Sequence, residues 1–100
     1  MYTLRFFFDN LVGVCVWSGD KATYERFDYP IFLNTLPLSS ETVDAGEALI
    51  QRWEQYVFLE SAWPPDDSWT RFKDDCAAFV NRLRTELGNE FEINDEFSAH

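Results

Sequence analysis

The stretch 69–97, WTRFKDDCAAFVNRLRTELGNEFEINDEF, changes its hydrophobic period partway along, and that change decides the fold class. Trp69, Phe72, Cys76, Phe79, Val80, Leu83 and Leu87 keep the spacing of one face of an α-helix. Gly88 comes next, where a residue free to adopt positive φ ends a helix. Glu90, Phe91, Glu92 and Ile93 then alternate polar with apolar, as a strand with one buried face does. Helix and strand therefore share one short chain, and the order of the remaining segments fixes how they combine.

The N-terminal end supplies more strand. Residues Thr3 to Phe8 and Val14 to Trp17 are β-branched and aromatic, with the turn-prone DNLVG (9–13) between them. They read as a hairpin turning either at Asp9-Asn10 or through a longer loop closed by Gly13. Leu4, Phe6 and Phe8 would share one face, with Arg5 and Phe7 on the other, so that second face is not fully wet. Asp20 is placed to cap a short helix ending at Phe27. Tyr29 precedes Pro30 and should be extended, while Ile31 to Leu33 fit either a short strand or an apolar loop.

A long helix follows, capped by Ser39 or Ser40 behind an apolar staple at Leu38, and running to about Glu60. Val43, Gly46, Leu49, Ile50, Trp53, Tyr56 and Val57 form its inward stripe. Asp44, Glu47, Gln51 and Glu54 lie opposite, and Phe58 falls among them. In SAWPPDDSW (61–69), Pro64 and Pro65 end this helix and Asp66 or Asp67 caps the next. The sum is one α+β domain over residues 1–100: a small antiparallel sheet of about three strands, the N-terminal hairpin plus a C-terminal strand, packed with two long helices and one short one.

The composition, 46% apolar and 18% aromatic, is that of a folded globule. Eighteen carboxylates against eight Lys or Arg give a formal net charge of −10. Such a field repels nucleic acid and anionic lipid and speeds encounter with basic partners, so direct nucleic-acid and membrane binding are set aside. The N-terminal apolar run MYTLRFFFDN carries Arg5 inside it with no small-residue cleavage site after it, and the longest uncharged apolar run, Leu11 to Trp17, is far too short to span a bilayer, which makes the cytoplasm the expected compartment.

Catalytic chemistry is not written in the residues. The single histidine, His100, is terminal, and Cys15 and Cys76 lie in apolar segments where burial raises a thiol's pKa. The paired carboxylates Asp66-Asp67 and Asp74-Asp75 match no calcium loop, and the isolated glycines form no phosphate loop. We therefore expect no enzyme activity, no metal and no cofactor.

The charge is segregated. From Ser40 to Glu60 five carboxylates face Arg52 alone, whereas the second long helix carries most of the bases. The expected partner-binding surface is thus Asp44, Glu47, Glu54 and Phe58 on the first helix, with Trp63, Asp66 and Asp67 in the loop after it. An ordinary solvated helix face, a buried Phe58 and an aspartate serving only as a cap are the competing readings of the same residues.

This organisation resembles the small acidic immunity proteins that bacteria encode beside polymorphic or contact-dependent toxins. The stretch VCVWSGDKATYERFDYPIFLNTLPLSS (14–40) also looks like a pattern recurring in small bacterial proteins: a strand ending in Trp-Ser, a short helix, Tyr-Pro-Ile, then Leu-Pro-Leu-Ser opening a long helix. The resemblance implies an immunity protein that binds and neutralises a cognate toxin domain with a basic surface, a nuclease among the options. It carries no residue role with it. A nucleic-acid mimic or adaptor that inhibits a DNA-binding enzyme would use the same acidity, and a small carboxylate- or metal-dependent enzyme is the remaining alternative.

Overall fold

The computed structural model describes residues 1–9, 13–58 and 68–98, the side chains of residues 56–58 and 68 excepted. Among these residues four strands and three helices follow one another as β1 (Tyr2–Phe6), β2 (Val16–Ser18), α1 (Lys21–Phe27), β3 (Pro30–Ile31), α2 (Ser40–Phe58), α3 (Ser68–Leu87) and β4 (Phe91–Asp95). Single 3-10 turns at Leu33–Thr35 and Gly88–Glu90 precede α2 and β4.

The hairpin forms as its pattern predicts. β1 and β2 pair antiparallel with Leu4 opposite Ser18 and Phe6 opposite Val16, and the Phe7 amide extends the ladder to the Cys15 carbonyl at 3.1 Å. Residues 10–12 of the turn lie outside the described residues. Asp20 caps α1, its carboxylate accepting the Thr23 amide at 2.9 Å. The ambiguous segment after Tyr29 divides in two: Pro30–Ile31 join β2 as an antiparallel edge strand, and Leu33 begins a 3-10 turn.

The expected antiparallel sheet of about three strands is corrected to a mixed sheet of four, ordered β3-β2-β1-β4. β4 runs parallel to β1, from Tyr2 opposite Phe91 to Phe6 opposite Asp95. The physical reason is the length of α3. Twenty residues of helix carry the chain back about 30 Å, so β4 starts beside the start of β1 and must run the same way. Parallel neighbours need such a crossover, and alternation in the sequence reports a strand without its direction.

Leu4, Phe6, Val16, Ile31 and Ile93 present the sheet's apolar face to Leu49 and Ile50 of α2 and to Phe72, Phe79, Val80 and Leu83 of α3, in one continuous buried cluster. Phe97, just beyond β4, closes one end of it with ring centroids 5.0 Å from Phe8, 5.7 Å from Trp53 and 5.6 Å from half-buried Trp69. The Asp95 carboxylate holds that turn by accepting the amides of Phe97 at 3.0 Å and Ser98 at 2.8 Å.

On the opposite face Arg5 pairs with Trp17 across the hairpin. Phe7 stacks on Trp17 at 4.8 Å, Tyr29 leans on it from 5.1 Å, and the Arg5 guanidinium lies 5.0 Å from the Phe7 ring. Glu96 grips Arg5 through two bonds of 2.6 and 2.8 Å, which raises the arginine's pKa further. A tryptophan on this face is therefore only 4% exposed.

Two backbone positions generate predictions. Gly46 lies where a Cβ would clash with Leu33 Cδ1 and sit 2.6 Å from Phe79 Cζ. Gly46→Ala should cost roughly 2 kcal/mol by overpacking, read as a lower urea midpoint at unchanged slope. Asp28 adopts φ 68°, ψ 179°, a region that suits glycine. Asp28→Gly should raise stability by about 1 kcal/mol after the entropy that glycine adds to the unfolded chain, measured by the same titration.

Candidate acidic interface

Helix α2 owes its position to both ends of α3. At its start the Ser39 hydroxyl accepts the Thr42 amide at 3.2 Å, so of the two candidate caps, Ser39 and Ser40, Ser39 serves. Glu86, near the end of α3, completes that cap by accepting the Ser39 amide at 2.8 Å and the hydroxyls of Ser39 and fully buried Thr42. Further along, Arg52 of α2 bonds Asp75 of α3 at 2.8 Å while lying 5.0 Å over the Phe72 ring. Asp75 thus ties α3 to α2. Arg82 reaches Glu86 at 3.5 Å and Glu41 at 3.7 Å.

These bonds decide which charges remain. Arg5, Arg52 and Arg82 are engaged by Glu96, Asp75, Glu41 and Glu86, Lys21 faces Glu25 at 3.8 Å, and Arg84 donates to the Ile93 carbonyl at 3.0 Å. Asp44 and Glu47 stand exposed on α2 and form no ion pair among the described residues. Glu54 is half-buried beside the β1–β2 loop, its Oε1 3.7 Å from where a Cβ on Gly13 would lie.

Of the seven residues expected to bind a partner, the structure brings Asp44, Glu47 and Glu54 onto the outward side of one helix. Phe58 closes α2, but its side chain lies outside the described residues, as do Trp63, Asp66 and Asp67 entirely. The inward stripe holds over its described part: Gly46, Leu49 and Ile50 are buried, and Val43 and Trp53 are partly so, while the side chains of Tyr56 and Val57 lie outside the described residues. Sequence reasoning missed the shallow groove of about 240 Å³ between α2 and α3, floored by Ala45, Leu49, Ala78 and Phe79 between Asp75 and Arg82. Its signal is the small residues Ala45 and Ala78, which become meaningful only once the two helices lie side by side.

Cys15 and Cys76 are both free and buried in the core. Burial pushes the Cys76 thiol up to about 12 and the Cys15 thiol higher still, with smaller contributions at Cys15 from Cys76 and the Glu47 carboxylate. Thiols so held are poor nucleophiles. Among the described residues no group of three or more His, Cys, Asp or Glu side chains is arranged to hold a metal ion. No described helix is long and apolar enough to cross a membrane. The chain matches no protein-family model and no curated protein.

The bonds from Ser39, then those from Thr42 and Arg82, hold the Glu86 carboxyl below its ordinary value of 4.5. Because the folded-state value is depressed, the stabilisation is fully present above about pH 4.5 and is lost as pH falls through the lower folded-state value. Thermal melts across that range should show Glu86→Gln lowering the midpoint at neutral pH and flattening the acid limb. An acid limb identical to that of the wild type would remove Glu86 from its role as the tie between the helices.

Proposed function

We infer that the protein is a binding protein of the immunity type, which docks on a basic toxin domain and blocks it. One observation carries this reading. The arginines nearest the helix pair are spent on intramolecular bonds, so the carboxylates of Asp44 and Glu47 are left as surplus charge on an exposed helix face. A surface that served solubility alone would gain nothing from keeping its cations away from these carboxylates, whereas a steering surface needs that separation. The groove beside them offers an apolar floor at Ala45 and Leu49, the composition in which an interface core forms within a polar rim. Carboxylates presented in this way would occupy sites that a nuclease shapes for phosphates.

The test is association with any toxin domain encoded beside this chain, followed by stopped-flow at several salt concentrations. The triple variant Asp44→Asn, Glu47→Gln, Glu54→Gln should slow association about tenfold at low salt and flatten its salt dependence. Unchanged association kinetics would eliminate the acidic-face reading. If no neighbouring toxin domain binds but a DNA-binding enzyme is inhibited, the nucleic-acid-mimic reading takes its place.

A further inference from the structure

A cleft of about 400 Å³ opens where the start of β1, the end of α1, the turn before α2 and the α3–β4 junction meet. Three aromatic rings belong to its lining: the Tyr2 ring lies 5.3 Å from Phe27 and 5.3 Å from Phe91, and those two are 6.1 Å apart. Thr35, Leu36 and Pro37 complete the lining together with Arg26 and Glu90, both of which are exposed. Glu90 is exposed and has no ion-pair partner among the described residues. Arg26 holds its guanidinium 4.9 Å from the Phe27 ring centroid, so one face of this cup already carries a cation in π contact.

We propose that the cleft binds a guanidinium group, the side chain of an arginine presented by a basic protein partner. Aromatic faces attract a cation through their quadrupole, and a carboxylate at the same opening supplies the counter-charge. Arginine suits both features better than lysine, because its planar group can lie flat on a ring while its edge donates to Glu90. The whole-molecule charge of −10 favours a cation over an anionic ligand that would need Arg26 against that field. A cleft of this volume fits one long side chain. The proposal rests on the basic-partner reading only for where the arginine comes from.

The experiment uses the full chain and N-acetyl-arginine amide as probe, followed by two-dimensional NMR. Saturable shifts should be confined to Tyr2, Phe27, Glu90 and Phe91, and the neutral N-acetyl-norleucine amide should bind several-fold more weakly. Glu90→Gln should weaken arginine binding about threefold to tenfold without affecting the neutral probe. Arg26→Gln should tighten it, since a competing cation is removed. Both substituted residues are exposed, and unchanged spectra elsewhere will confirm folding. Equal affinity for the two probes, shifts spread along α2, no saturable shift in the cleft, or loss of binding in Arg26→Gln would each overturn the proposal. None of these outcomes alters the kinetics expected of the Asp44, Glu47 and Glu54 variant, so the two readings fail separately.

Discussion

Gly46 sets the depth at which α2 sits in the molecule. With hydrogen in place of Cβ, the helix comes within van der Waals reach of Phe79 on α3 and of Leu33 in the turn ahead of it. That approach allows Leu49 and Ile50 to meet the sheet, and it brings Arg52 and Thr42 within bonding distance of Asp75 and Glu86. A helix held farther out would lose both the packing and the polar ties. The buried contacts supply most of the stabilisation, and the polar ties fix the register of one helix on the other.

The same geometry divides the charges. Exposed ion pairs contribute little to stability, but here they sort the surface. Asp75 and Glu41 hold Arg52 and Arg82 across the two helices and Glu86 adds a bond to Arg82, whereas Asp44 and Glu47 form no ion pair among the described residues. An acidic sequence thereby becomes a molecule with an acidic side. The cleft at Tyr2, Phe27 and Phe91 lies on a different part of the fold and carries one acid, Glu90, and one base, Arg26.

Features that depend on a few neighbouring residues were legible in the sequence. Asp20 and Ser39 were readable as caps because a side-chain oxygen bonds an amide three residues on. Gly88 was readable as a stop because it takes φ +71°, and the core stripes of α2 and α3 because helical period puts apolar residues on one side. The acidic residues of α2 could be assigned to its outward side by the same period. Their lack of counter-charge could not, because it depends on Arg52 and Arg82 finding partners on another helix.

The sequence by itself determined the order of the helices and of β1, β2 and β4, the cap at Asp20, the buried faces and the sign of the surface field, since each follows from local spacing or composition. Only the tertiary structure decided that β4 runs parallel to β1, because strand alternation is the same in both directions and the crossover length of α3 selects one. It also decided that Trp17 is buried between Phe7 and Tyr29 on the face away from the helices, and that residues from four separate segments line one aromatic cleft. Such neighbours are set by packing across the chain, for which one sequence carries no periodic signal.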